Sequence, residues 1–231
     1  MPVPFTIIIP TLNAASYLGT ALAALIEAGP ALRIIIVDGG SQDDTLHIAQ
    51  TACRLAANVQ FINAPRGRGS QLAAGIAAAS TPWLLLLHAD TMLSPGWFAA
   101  CQRHMAQTPD HDRAYYGRFA LASPDARARR IEAIVAWRCW RFALPYGDQG
   151  LLISASQLHS AGGMNELPLM EDVTLIRRIG RAGLAPADFT ATSAAARYER
   201  DGWWARPARN LLCLALWRMG VPPRLILKLY K

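Results

Sequence analysis

Four short apolar runs, each followed by a segment of different periodicity, constrain this chain more than any other feature. They read FTIIIP (5–10), LRIIIVDGG (32–40), VQFINAP (59–65) and PWLLLLHAD (82–90). Continuous apolar runs, rather than apolar–polar alternation, mark strands covered on both faces. Between them lie AASYLGTALAALIEAG (14–29), SQDDTLHIAQTACRLAA (41–57) and GSQLAAGIAAAS (69–80). The first has apolar residues at helical spacing and stops at Gly29-Pro30; the second opens on cap-type residues, with Ser41 a candidate cap; the third is rich in small residues. Strands alternating with helices predict an α/β fold built on a mostly parallel sheet with helices on both faces. Ligands of such sheets bind at the carboxyl ends of the strands. Here those ends carry Pro10-Thr11-Leu12-Asn13, Asp38-Gly39-Gly40 and His88-Ala89-Asp90.

The second half is less regular. AYYGRFAL (114–121) reads as a strand, RARRIEAIVAWRCWRFA (127–143) as a basic amphipathic helix, and YGDQGLLIS (146–154) as a loop entering another strand. AGGMNELPLMEDVTLIRRIGRAG (161–183) gives turns and then a helix beginning near Glu171-Asp172. With no repeat or low-complexity linker, 1–231 reads as one domain. Residues 1–91 would bind a ligand, 92–200 would complete the site, and 201–231 would be a helical tail.

Composition removes several function classes. At 231 residues and 52% hydrophobic, the chain can bury a sizeable core and is not disordered. Its net charge of +7 is concentrated in RARRIEAIVAWRCWR and near the C-terminus, and neither segment resembles a nucleic-acid module. A phosphorylated small molecule or an anionic membrane surface accounts for the charge equally well. Cys53, Cys101, Cys139 and Cys213 are far apart and form no CxxC pair, so reduced cytosolic thiols are expected. MPVPFTIIIPT has no basic residues ahead of its apolar run and does not read as a signal peptide; no stretch reaches the ~18 apolar residues of a spanning helix. The expectation is a cytoplasmic protein, soluble or peripheral to the inner membrane surface.

Read locally, the candidate residues have ordinary structural explanations. Asp38 is a turn residue before two glycines, and Gly39 and Gly40 would let a backbone approach a ligand closely. Arg66 and Arg68 in PRGRG form a solvated basic loop, or a diphosphate clamp. Asp90 closes a strand as a turn residue, or carries chemistry. Glu171 and Asp172 suit the positive end of a helix dipole. Asp148 and Gln149 between Gly147 and Gly150 form a tight turn.

Six motifs in order, IIIPTLN, IIVDGGSQDDT, APRGRGSQLAAG, LLHADT, YGDQG and LPLMEDVTLIRR, resemble the inverting family 2 glycosyltransferases of GT-A fold. The likeness covers nearly the whole chain, including RYERDG…ARN in its tail. It is nearest to a bacterial branch of small enzymes associated with selenodomain or arsenosugar genes. The resemblance implies transfer of a sugar from a nucleoside-diphosphate donor, by family habit a UDP-sugar, to an unidentified acceptor.

The same resemblance implies roles. Pro10, Thr11 and Asn13 would wall the nucleoside, Asp38 with Gly39 and Gly40 would meet the base, and Arg66 or Arg68 the phosphates. Asp90 would bind the divalent ion, Mg²⁺ or Mn²⁺, in a His88-Ala89-Asp90 motif where relatives usually carry Asp-x-Asp. His88 is then either a ligand, which Mn²⁺ would tolerate better, or a neutral side chain at the strand end. Asp172 would be the general base with Glu171 beside it, Asp148 and Gln149 would shape the acceptor pocket, and a basic residue among Arg197 and Arg200 would fold over the pyrophosphate. Relatives often carry acids after the Asn of PTLN, where this chain has Ala14-Ala15.

Competing readings are a sugar nucleotidylyltransferase, whose GxGxR loop after the first strand is missing, and a non-catalytic nucleotide-sugar or membrane-associated protein. The segment 211–231 reads as a packed helix pair, a dimer contact or a membrane-surface anchor.

Overall fold

The computed structural model describes residues 4–29, 31–108, 110 and 112–230. The reading of the extreme N-terminus and the helix stop at Pro30 thus fall partly outside the described residues. Strands β1 (Phe5–Thr11), β2 (Leu32–Asp38), β3 (Val59–Asn63) and β4 (Trp83–Leu86) are parallel, and helices α1 (Ala15–Ile26), α2 (Thr45–Leu55) and α3 (Arg68–Ala78) connect them. The apolar runs serve two cores by strand alternation. Phe5, Ile7, Ile9, Leu32, Ile34, Ile36, Trp83 and Leu85 face α1 and α2. Ile8, Ile35, Val37, Leu84 and Leu86 face Leu72 of α3 on the other side. Both faces of β1, β4 and most of β2 are therefore covered, which is why these runs show little apolar–polar alternation, whereas β3 at the sheet edge exposes Gln60 and Asn63.

The chain continues through β5 (Thr91–Leu93), α4 (Trp97–Ala106), β6 (Ala114–Ala122), α5 (Ala126–Phe142), a single 3-10 turn at Gly147–Gln149 and β7 (Leu151–Ser154). After these come α6 (Ala155–Ser160), α7 (Glu171–Ile179), β8 (Leu184–Ala194), α8 (Ala196–Asp201), α9 (Ala205–Arg218) and α10 (Pro223–Tyr230). All eight strands form one sheet in the order β3-β2-β1-β4-β7-β6-β8-β5, with β7 antiparallel to β4 and β6, and β5 antiparallel to β8.

Several boundaries differ from expectation for identifiable reasons. The fourth strand stops at Leu86, so His88, Ala89 and Asp90 lie in the loop beyond it. The second helix starts at Thr45 rather than Ser41, because the Asp38 carboxylate holds Ser41 in a turn. Neither α4 nor β8 stands out as a run of matching periodicity, although β8 contributes eleven residues to the sheet. The tail forms a packed pair: Cys213, Leu214 and Ile226 are buried against Leu169, Met170 and Val173.

Candidate functional site

A cleft at the carboxyl edge of β4 collects side chains from five separate segments. Arg68 comes from the start of α3, His88 and Asp90 from the loop after β4, Gly147 and Asp148 from the 3-10 turn, Glu171 and Asp172 from the start of α7, and Arg197 from α8. Tyr146, Tyr198 and Tyr230 also line it.

Asp172 is fixed by backbone donors. Its Oδ2 accepts the Gly147 N–H at 2.8 Å and its Oδ1 accepts its neighbour's N–H, that of Val173, at 2.7 Å. Position 147 must be glycine for this approach, since a Cβ there would stand 2.8 Å from His88 Nε2. The preceding Met170 has φ 66°, a left-handed conformation that costs a non-glycine residue of order 1–3 kcal/mol. That residue turns the chain so that both acids open α7, where the helix dipole favours negative charge.

Glu171 is nearly inaccessible, at 1%, and its Oε1 lies 3.0 Å from Arg68 Nε. Burial pushes its carboxyl pKa up, and Arg68 opposes that shift. Arg68 in turn is held more firmly protonated by Glu171. Its Nη1 stands 3.1 Å from His88 Nε2, and Tyr230 lines the cleft beside it. Burial, together with Arg68 and Arg197, holds the His88 pKa well below the usual imidazole range. A neutral His88 accepting at Nε2 carries its proton on Nδ1 and has no free nitrogen for a metal. Of the two alternatives for His88, this geometry favours the neutral strand-end residue.

Asp148 has a buried Oδ1 without a hydrogen-bond partner among the described residues, and burial raises its pKa to about 6, with Arg138 opposing and Asp172 adding to the shift. Asp90 keeps 20% of its side chain accessible and lies 3.8 Å from Arg197 Nη2. Among the described residues no three His, Cys, Asp or Glu side chains are grouped to hold a metal. Asp90 is a hard oxygen donor facing the cleft, and one such carboxylate suits an ion that takes its remaining ligands from phosphate oxygens and water. The donor chemistry therefore fits Mg²⁺ or Mn²⁺ through Asp90 alone.

Other expected residues are not in the cleft. Asp38 has no accessible surface; its oxygens accept from Thr11 Oγ1, Ser41 Oγ, and the N–H groups of Gly40 and Ser41. Four donors approach this carboxylate, so it braces the turn between β2 and α2. Gly39 lies against the Gln71 amide, 2.9 Å from where a Cβ would be, so that glycine makes room for protein rather than ligand. Gly40 has φ 88°, a turn requirement. Asn13 locks the same turn: its N–H donates to Ser41 Oγ and its Oδ1 accepts the Gln42 N–H. Pro10, Thr11 and Asn13 thus sit beside Asp38 at the strand edge, outside the cleft lining, as does the buried Ala89.

Arg66 is exposed and also outside the lining, which separates it from Arg68. Gly69 of the same loop is required by the backbone of Asn165 and Leu167 packed against it. Gln149 lies outside the cleft lining. It is buried, donates to Gly117 O at 2.9 Å and accepts from the Tyr146 N–H, so it braces the turn that presents Asp148.

Sequence reading missed Tyr230. Its only signal is the inward spacing of Pro223, Ile226, Leu227 and Tyr230 on α10, which becomes meaningful once α10 is known to pack beside the cleft.

A family model described as glycosyl transferase family 2 matches residues 6–152. The chain belongs to glycosyl transferase family 2. It is also similar to uncharacterized glycosyltransferases of Mycobacterium bovis and Mycobacterium tuberculosis, each 40% identical over 91 residues. The match spans 39% of this chain but only 38% of the length of each of these curated relatives.

Solved structures share the fold. The mannosyltransferase PcManGT from Pyrobaculum calidifontis, in complex with GDP-Man and Mn²⁺, superposes with a TM-score of 0.69 at 19% identity, covering 94% of this chain and 66% of that one. GalNAc-T7 with UDP, GalNAc and Mn²⁺ gives 0.66 at 13% identity, covering 84% and 44%. S. aureus TarS 1-349 with UDP-GlcNAc gives 0.58 at 15% identity, covering 82% and 56%. The family 2 chain thus has the mixed α/β architecture of GT-A glycosyltransferases.

Proposed function

We propose that this chain transfers a sugar from a nucleoside-diphosphate donor, a UDP-sugar, to an acceptor hydroxyl with inversion at the anomeric carbon. The observation that carries this reading is the convergence of Asp90, Arg68 and Asp172, from three distant motifs, on one cleft at the carboxyl edge of the sheet. Family membership and neighbours that bind UDP-GlcNAc or GDP-Man support a nucleotide-sugar donor.

In this reading Asp172 takes the acceptor proton while the acceptor oxygen bonds to the anomeric carbon. The bond to the diphosphate breaks on the opposite side and its electrons leave with the diphosphate. Both Asp172 oxygens already accept backbone N–H groups, which orients the carboxylate and leaves further lone pairs for the acceptor. Arg68 and Arg197 would, in this reading, neutralise the negative charge that develops on the leaving group, and preorganised charges of this kind are commonly the largest catalytic term. A divalent ion on Asp90, when bound, would neutralise part of the diphosphate charge. The Thr11–Asn13 and Gly39–Ser41 turns would bound the nucleoside through backbone groups, with Asp38 holding their shape.

The His88-Ala89-Asp90 motif supports placement near the selenodomain- and arsenosugar-associated branch. We place the enzyme on the cytoplasmic side of the membrane, consistent with its free thiols. No described helix is long and apolar enough to cross a membrane.

Calorimetric titration of UDP and GDP into wild type and Asp90→Asn, with and without Mn²⁺, tests the proposal. UDP binding that requires both Asp90 and the metal is expected. Absence of binding by either nucleotide under every condition would leave only the fold.

A further inference from the structure

Helices α9 and α10 form a hairpin with two unlike faces. The inner face is occupied: Cys213, Leu214 and Ile226 are buried, and Tyr230 lines the cleft beside Arg68. The outer face is apolar and uncovered. Trp204, Leu211, Leu212 and Met219, with Ala208 and Ala215 between them, recur at helical spacing along α9, and all are exposed. Leu211 has 67% and Met219 71% of its surface in contact with solvent. On α10 the exposed Leu225 and Leu229 alternate with Arg224 and Lys228. Single exposed leucines need no explanation, but a stripe running the length of a helix pair does.

The charge around the stripe indicates its occupant. Residues 202–230 contain no Asp or Glu. Arg206 and Arg209 are engaged by Asp201, whereas Arg218, Arg224 and Lys228 have no acidic partner among the described residues. A second copy pairing through the same face about a two-fold axis would set this uncompensated positive charge against itself. An anionic bilayer supplies both missing components, an apolar interior boundary for Trp and Leu and negative headgroups for Arg and Lys.

We propose that the outer face of the α9–α10 hairpin seats this protein on the surface of an anionic lipid bilayer, parallel to the membrane and without crossing it. The inference does not depend on the glycosyltransferase reading, because none of the stripe residues lines the cleft. It does make α10 a shared element, carrying Tyr230 to Arg68 on one side and the lipid contact on the other.

The test is co-sedimentation of the full chain with phosphatidylcholine vesicles, with and without phosphatidylglycerol, at low and high salt. Wild type should pellet with the phosphatidylglycerol vesicles and be largely released by salt. The double variant Leu211→Glu/Met219→Glu should bind those vesicles at least about tenfold more weakly, the equivalent of losing the burial of one large apolar side chain. Its UDP and GDP titrations should match wild type, showing that the fold is intact, since both positions are already in water. The triple variant Arg218→Gln/Arg224→Gln/Lys228→Gln should lose the preference for phosphatidylglycerol. Wild type left in the supernatant with both vesicle types overturns the proposal. So does a double variant that pellets like wild type; wild type that stays in the supernatant but forms a concentration-dependent dimer by light scattering, lost in the double variant, would assign the face to a second copy.

Discussion

The Gly147 N–H points at Asp172 Oδ2 from 2.8 Å, and the absence of a side chain on Gly147 is what lets His88 and Asp172 share that space. The proposed base is thereby held by backbone, which side-chain substitutions elsewhere in the cleft leave unchanged. Replacing Asp172 by Asn leaves one acceptor oxygen for two backbone N–H groups and cannot take a proton. Transfer should fall by about 10²–10⁴-fold while donor affinity stays near wild type, and the N–H left without an acceptor should cost no more than about 1–3 kcal/mol of stability. Equal losses in donor affinity and turnover would instead make Asp172 a donor-binding residue.

Removing Arg68 should be felt first in stability. Arg68→Met strands the buried Glu171 carboxylate, and uncompensated buried charges cost about 3–5 kcal/mol. Burial already raises the Glu171 pKa and the Arg68 charge is the largest influence opposing it, so in the variant the acid escapes the penalty by taking up a proton. The loss should be larger at alkaline than at acidic pH, and Glu171→Gln in the same chain should recover most of it. Denaturant midpoints across pH decide this; a pH-independent loss removes Glu171 from the explanation.

Asp148 gives a second pH signature. Its folded pKa is raised from 3.8 to about 6, so the folded state binds this proton more tightly than the unfolded chain. The associated stability is complete below the unfolded value and is lost as pH rises through about 6. Asp148→Asn cannot ionise. Its melting temperature relative to wild type should therefore climb between pH ~4 and ~7 and then level off. Parallel melting curves for the two proteins over that window would show that Asp148 is not perturbed.

For Asp38 the expected result is structural. Asp38→Asn puts an amide where four donors converge, and each buried donor left without an acceptor costs about 1–3 kcal/mol. Thermal stability should drop markedly with no change in the ratio of UDP to GDP affinity. A changed ratio at unchanged stability would return Asp38 to the base.

How much of this was legible in the chain depended on whether a residue's partner was local. Ile7, Ile8 and Ile9 announce a strand covered on both faces, because two cores must be filled by one run. The carboxyl-edge position of Asp90 followed from that. Arg66 and Arg68 could not be told apart, since what separates them is Glu171, a hundred residues away. Gly39 read as a ligand-binding glycine, yet the atoms that exclude a Cβ there belong to Gln71. Gln149 looked like a pocket residue because its polar neighbours are, but its amide bonds back to Gly117 across the sheet. Tyr230 had no legible role until α10 was seen to fold against α7.

The seating of α3 carries a kinetic consequence. Gln71 donates to Thr11 O and Val37 O at 2.6 and 2.8 Å, and Gly75 rests directly on Ile8, so the helix cannot shift without disturbing β1 and β2. Arg68, in its first turn, is consequently a stationary electrode. Arg197 extends from the short α8 with 58% of its side chain in solvent, and Asp90 is its one ion-pair partner among the described residues. A stationary cation fixes where a diphosphate comes to rest, whereas a free one can follow it outward and set how long it lingers. Residence time should then be adjustable at Arg197 with little effect on the fold, an adjustment that position 68, tied to both sheet and buried acid, does not permit.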